Sequence, residues 1–172
     1  MMKKIYISVA VLLILGLGAL LYFKEGKSGI VWMDVNKVYS DFDYKKEMDA
    51  KYLKTETARK KIIDSLELDL KLIFNQMQNN PKDDEKVILF ETKRAYFLEK
   101  KQQLDSDSEN TRAKYYEQIV SQINQYVRDY GKEKGYSVIL GADGTGAIMY
   151  AEEKIDITKE ITTYVNNKYK GL

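Results

Sequence analysis

Cysteine and histidine are both missing from this chain of 172 residues. Without cysteine no disulfide can form, so the sequence gives no sign of its redox compartment, and thiol nucleophiles are excluded. Without histidine there is no imidazole base, and metal or haem sites built from Cys and His are excluded as well. The Asp and Glu pairs that remain lie on predicted exposed helices with no pocket around them, so we expect no enzyme, no cofactor and no metal site.

The chain also lacks an excess of charge of one sign. It carries 28 Lys and Arg against 26 Asp and Glu, for a net charge of +2. This balance argues against nucleic acid as a partner. Proline is limited to Pro81, and glycine is absent between Tyr44 and Tyr130. So long a stretch with a single helix breaker predicts continuous helix on both sides of Pro81.

The one long hydrophobic run lies at the N-terminus. Residues 1–4 are short and basic, and residues 5–23 are apolar and uncharged. Roughly 20 such residues span a bilayer, whereas the apolar region of a secretory signal has only about 7–15. We interpret residues 5–23 as a transmembrane anchor, with a cleaved signal peptide and a buried core helix as open alternatives. Residues 24–29 are a polar linker.

Residues 44–130 are predicted to form two long antiparallel helices, a coiled-coil-like arm with its tip at residues 79–81. Apolar residues recur in the first helix at helical spacing, in a stripe that is narrow and interrupted by Arg59. The stripe consists of Met48, Tyr52, Thr55, Ile62, Leu66, Ile73 and Met77.

In the second helix, Phe90, Phe97, Leu104 and Thr111 are seven residues apart, as in a heptad. Polar residues occupy the alternate positions of this seam, so its middle is expected to pack poorly. Two interpretations stay open: an ordinary coiled coil with some polar positions, or an arm that must flex. The polar residues are Arg94, Lys101 and Ser108.

The flanking residues, 30–43 and 131–172, are predicted to form a small base. A strand at 30–35 precedes the arm; strands at 136–140 and 147–151 form a β-hairpin, and a C-terminal helix follows. The fold class is thus mainly α with a small β body from which the arm projects. A base this small buries little of its own surface, so pairing with other subunits is expected. The predicted oligomerisation residues are Ile30, Trp32, Val138, Leu140, Ile148 and Tyr150.

Four segments, in this order, resemble the Skp/OmpH family of periplasmic chaperones. This family implies a homotrimer with a β-barrel body and three helical tentacles, which hold unfolded outer-membrane β-barrel proteins without ATP or metal. The segments are Ile30-Val-Trp-Met-Asp-Val-Asn-Lys-Val-Tyr39, Lys134-Gly-Tyr-Ser-Val-Ile-Leu140, Ala147-Ile-Met-Tyr150 and Ile155-Asp-Ile-Thr158.

Two features depart from the family pattern. Lys and Arg are balanced by Asp and Glu between Asp41 and Asp129, whereas familiar members have strongly basic arms. The second departure is residues 5–23, which would tie the periplasmic body to the inner membrane if they are not cleaved. Because the charge of the arm is balanced, apolar and tyrosine contacts are expected to do more of the client binding. The candidate client-binding residues are Tyr96, Phe97, Tyr115 and Tyr116.

The function expected from these features is that of an ATP-independent periplasmic holdase. The alternative is a membrane-anchored coiled-coil spacer or scaffold of the cell envelope, which needs the same helices but no client. Suppression of the aggregation of a denatured β-barrel protein distinguishes the two.

Overall fold

A computed structural model describes residues 29–79 and 84–172. The N-terminal segments at 1–4 and 5–23 lie outside this range, as does the linker apart from Gly29. Residues 80–83, which include Pro81 of the predicted tip, are also outside it. No helix within the described ranges is both long and apolar enough to cross a membrane.

The described part of the chain is mainly helical, as predicted. Its α-helices are α1 (Val35–Asp41), α2 (Asp43–Asn79), α3 (Asp84–Lys134) and α4 (Thr158–Lys170), and its strands are β1 (Ile30–Asp34) and β2 (Val138–Ala142). With 37 and 51 residues, α2 and α3 are about 55 and 75 Å long at 1.5 Å per residue. The chain divides into two compact units, one of residues 29–38 and 124–172 and the other of residues 39–123.

In the first unit, β1 and β2 pair in parallel, with Ile30 opposite Val138 and Trp32 opposite Leu140. Neighbouring side chains of a strand point to opposite faces, so Val31 and Met33 lie on the face of β1 opposite to Ile30 and Trp32. Val31 and Met33 are both buried. The remaining buried apolar residues of this unit come from α1, α3 and the C-terminal segment, and they are Val38, Tyr130, Ile157, Ile161 and Val165.

The predicted β-hairpin is wrong in its second strand. Within the described residues, residues 147–151 form no strand, and β2 pairs with β1. The other edge of β1 contacts residues 156–157: Trp32 bridges Asp156, and the backbone N–H of Ile157 donates to the carbonyl of Trp32 at 2.9 Å. Parallel strands need a long connection between them, and the long helices provide it. Turn residues in the sequence indicate only pairing between neighbouring strands, so they did not reveal the pairing of β1 with β2.

Two glycines near the end of α3 have different roles. Gly131 lies within the helix and is buried. A Cβ on Gly131 would lie 3.2 Å from Cδ1 of Ile139, so this glycine permits close packing. Gly135 has a φ of 71°, and the N–H of Tyr136 donates to the carbonyl of Gly131, as in a Schellman cap.

Short polar side chains secure the helix starts of this unit. Asp34 Oδ1 accepts a hydrogen bond from the N–H of Lys37 at 2.9 Å, and Asp156 Oδ1 accepts one from the N–H of Thr158 at 2.8 Å. The Thr158 hydroxyl oxygen in turn accepts the N–H of Asp34 at 2.9 Å. These bonds tie the end of β1 to the start of α4.

Candidate functional site

In the second unit, the side chains between α2 and α3 form a seam of buried and half-buried positions that recur every three or four residues. Thr55 and Ile62, which the sequence placed in this stripe, are exposed. Glu56 and Ile63 are half-buried instead, as is Arg59, which was expected to interrupt the stripe. The seam comprises Met48, Tyr52, Glu56, Arg59, Ile63, Leu66, Leu70, Ile73 and Met77 of α2 with Phe90, Lys93, Phe97, Lys100, Leu104, Ser108, Thr111, Tyr115 and Ile119 of α3.

A polar network occupies the middle of the seam. The hydroxyls of Tyr52 and Ser108 are 2.9 Å apart, and Ser108 donates to Oε1 of Glu56 at 2.8 Å. Arg59 donates to the same carboxylate oxygen at 2.5 Å and to the Thr111 hydroxyl at 3.3 Å. The two helices are therefore joined here by hydrogen bonds between side chains, where an ordinary coiled coil has apolar contacts.

Glu56 is the charged centre of this network. The hydrogen bond from Arg59 lowers the pKa of Glu56, and the hydrogen bond from Ser108 lowers it further against the opposing effect of burial. The carboxylate form is thus favoured by its partners on both helices.

Toward the end of α2 and the start of α3, the second unit exposes much apolar surface. Ile73 is buried and the rings of Phe74 and Phe90 lie 5.7 Å apart, but other apolar side chains nearby remain in water. This concentration was not predictable from the sequence, because the exposure of a side chain depends on which flank of each helix the partner helix covers. The exposed residues are Leu68, Leu72, Val87, Ile88, Leu89 and Leu98.

A tyrosine groove of about 670 Å³ lies at the other end of the seam. Its walls include Tyr39 and Tyr116, whose ring centroids are 5.8 Å apart. Lys45 pairs with Asp49 at 2.6 Å, and its Nζ lies 5.8 Å from the Tyr39 ring centroid. Burial raises the pKa of Tyr39. The groove therefore combines aromatic faces and tyrosine hydroxyls with charged groups.

The four predicted client-binding residues occupy different places. Tyr115 and Tyr116 line the tyrosine groove together. Phe97 lines a separate phenylalanine groove of about 290 Å³ with Phe74 and Phe90. Tyr96 is 52% exposed and lines neither of these two grooves.

The predicted oligomerisation residues meet in the first unit. Because of the parallel register, Ile30, Trp32, Val138 and Leu140 share the sheet face opposite Val31 and Met33. Ile30, Val138 and Leu140 are exposed, while Trp32 is half-buried and its Nε1 donates to the carbonyl of Glu152 at 3.1 Å. This open sheet face is apolar and uncovered in the single chain.

The two other predicted oligomerisation residues lie outside the strands. Ile148 is half-buried and Tyr150 is 83% exposed. Both follow the turn at 143–146, in which Asp143 Oδ1 accepts the N–H of Thr145 at 2.9 Å. The residues after this turn therefore add further exposed apolar surface to the first unit.

Within the described residues, no group of three or more His, Cys, Asp or Glu side chains is arranged to hold a metal ion. The geometry in these ranges is that of two surfaces: a long helical pair with exposed apolar flanks, and a small sheet with one open apolar face.

A family model described as "Outer membrane protein (OmpH-like)" matches residues 29–165. The chain belongs to the OmpH-like family. The match includes both units, and it confirms the resemblance indicated by the four segments at 30–39, 134–140, 147–150 and 155–158.

The fold of this OmpH-like chain has a counterpart among solved structures. It is similar to a protein from Caulobacter crescentus CB15 that is described as an outer membrane chaperone (OmpH-like), with 14% identity and a TM-score of 0.71. The likeness covers 81% of this chain and 85% of that chain. A search of curated proteins found none that matches.

Proposed function

We propose that this OmpH-like protein is an ATP-independent holdase chaperone of the periplasm. It keeps unfolded outer-membrane β-barrel proteins soluble in a cavity between the helical arms of three copies. The observation that carries the proposal is the apolar surface exposed by α2 and α3. Membership of the OmpH-like family supports it, as does the similarity in fold to the Caulobacter crescentus protein.

The exposed apolar surface suits a client without fixed structure. Leu72, Ile88 and Leu98 are each more than half exposed, and a soluble helical pair gains nothing from such residues on its own. They are scattered among charged residues, so contacts with a client are individually weak and numerous. Many weak contacts hold an unfolded chain without forcing it into one conformation.

The polar seam supports the same function. Hydrogen-bonded pairs such as Tyr52 with Ser108 contribute less to helix association than the leucine contacts of a regular coiled coil. Helices joined in this way open locally at low cost. An arm with that property can adjust to clients of different size.

The open sheet face supports assembly into a homotrimer. Ile30, Val138 and Leu140 would be buried when copies of this face meet, which removes apolar surface from water. Inner-membrane attachment through residues 5–23, if they are uncleaved, would place the body near newly exported clients.

The test is dilution of a urea-denatured outer-membrane β-barrel protein into buffer with the full-length chain. Light scattering should fall to the baseline at about one trimer per client. Scattering that is unchanged at tenfold excess would contradict the holdase and favour an envelope spacer or scaffold with no client.

A further inference from the structure

Three shallow grooves follow one another along the same flank of α3. The tyrosine groove shares Glu109 with a middle groove of about 480 Å³, and the middle groove shares Leu98 with the phenylalanine groove. All three are lined entirely by residues of the second unit. They therefore lie end to end along the helical pair, and the three together are here called the flank channel.

Helix geometry explains why the channel stays on one flank. Each residue turns the helix by about 100°, so the residues just before and just after a seam position lie on opposite flanks. Leu98, Asp105 and Tyr116 each follow a seam residue by one position and line the channel. Tyr96 and Gln103 each precede a seam residue and lie on the opposite flank.

The two ends of the channel are aromatic, and its middle is polar. Leu98 and Tyr116 are eighteen positions apart on α3, or about 27 Å at 1.5 Å per residue. An extended chain covers this distance with roughly eight residues at about 3.3 Å each. The middle groove between them is lined by Lys101, Gln102, Asp105 and Ser106.

The charge of the channel differs from that of the arm as a whole. Lys and Arg are balanced by Asp and Glu over residues 41–129, but cationic residues outnumber acidic ones along the channel. This excess favours an acidic occupant. The cationic residues are Lys45, Lys71, Arg94, Lys101 and Arg112, against Asp49, Asp105 and Glu109.

We propose that the flank channel binds one extended, acidic segment of an unfolded outer-membrane β-barrel protein, with two aromatic or apolar clusters about eight residues apart. One cluster occupies the tyrosine groove and the other the phenylalanine groove. This inference rests on the proposed holdase function and adds to it the client-facing flank and the pattern that is recognised.

The flank assignment is tested with a matched pair of labelled variants. The chain has no cysteine, so Asp105→Cys and Gln103→Cys each give one attachment point for an environment-sensitive fluorophore. Both positions are exposed and adjoin Leu104, but on opposite flanks. On addition of a urea-denatured outer-membrane β-barrel protein, the emission change at 105 should exceed that at 103 by about threefold or more.

The outcomes separate the two proposals. If both variants suppress aggregation but respond equally, or 103 responds more, the flank channel is wrong and the holdase stands. If the unlabelled full-length chain fails to suppress aggregation, both are overturned.

The recognition pattern is tested with acidic peptides whose two Tyr-Leu pairs are separated by eight or by three residues. The eight-residue spacing should bind about tenfold more tightly, because only it engages both grooves at once. Leu98→Ser should remove this preference, whereas Tyr96→Ser should keep it, since Leu98 and Tyr96 are 53% and 52% exposed on opposite flanks. Equal affinity for the two spacings in the unmodified chain would overturn the pattern.

Discussion

At the scale of single residues, Glu56 links helix pairing to pH. Its pKa is lowered in the folded chain, chiefly by the hydrogen bond from Arg59. A carboxyl group of this kind contributes stability that is complete above its unfolded pKa, at about 4.3, and is lost as pH falls through its folded pKa. The network is thus expected to weaken in acid and to be intact at neutral pH.

The first prediction follows from this dependence. Glu56→Gln should unfold at a lower temperature than the unmodified chain at pH 7, and the difference should shrink as pH falls from 5 to 3. Thermal denaturation followed by circular dichroism measures both. A double-mutant cycle with Arg59→Met should give a coupling of roughly 0.5–1 kcal/mol, as for partly exposed pairs. A difference that does not change with pH would contradict the role of the carboxylate.

Gly141 supplies a second prediction at this scale. A Cβ on Gly141 would lie 2.7 Å from Cγ2 of Val35, whose β-branched side chain has little freedom to move. Gly141→Ala should therefore destabilise the chain by about 1–3 kcal/mol in urea denaturation. Gly29→Ala is the control, because a Cβ there has nothing within 4 Å. Equal stability of the two variants would show that β2 shifts away without cost.

At the scale of elements, the seam separates two isoleucines that look alike in sequence. Ile73 is 7% exposed, whereas Ile62 is 44% exposed. Truncating a buried isoleucine removes apolar contacts and leaves a cavity, at about 2–4 kcal/mol, but truncating an exposed one costs little. Ile73→Ala should thus lower the urea midpoint and speed amide exchange in α2, while Ile62→Ala should stay near the unmodified chain. Similar losses for both would contradict the seam.

The same isoleucines show how far sequence reasoning reaches at this scale. The existence and approximate limits of the helices were predictable, because a stretch without glycine and with one proline has few other solutions. The phase of the stripe was not predictable around Thr55 and Ile62. Stripe positions spaced three or four residues apart both fit a helix there. Contact with the partner helix decides that Glu56 and Ile63 are the half-buried positions.

Long-range pairing was the other limit of prediction. Local turn chemistry at 141–146 suggested a β-hairpin, whereas β2 pairs with a strand more than a hundred residues earlier. Among the candidate client-binding residues, the aromatic character was readable from sequence. Which groove each residue lines depends on the side of its helix that the partner helix covers. Tyr116 lines the tyrosine groove, whereas Tyr96 lines neither that groove nor the phenylalanine groove.

At the scale of the whole molecule, the open sheet face is the basis of the proposed homotrimer. The strand positions that face the core, Val31 and Met33, are buried within a single chain, but the alternate positions are uncovered. A sheet with one apolar face in water is a poor end state for a soluble protein. Contact between copies of this face in the proposed homotrimer would cover it.

The last prediction tests this assembly. Val138→Glu places a carboxylate on the open sheet face, where assembly would bury it without a partner, at a cost of several kcal/mol per copy. Val138 is 41% exposed, so the single chain should still fold and keep its helical circular dichroism. Native mass spectrometry should show three-chain particles for the unmodified protein and single chains for Val138→Glu. Leu172→Glu, at a terminal residue that is 82% exposed, should leave the assembly intact. If Val138→Glu keeps the mass of the unmodified protein, copies do not meet through this face.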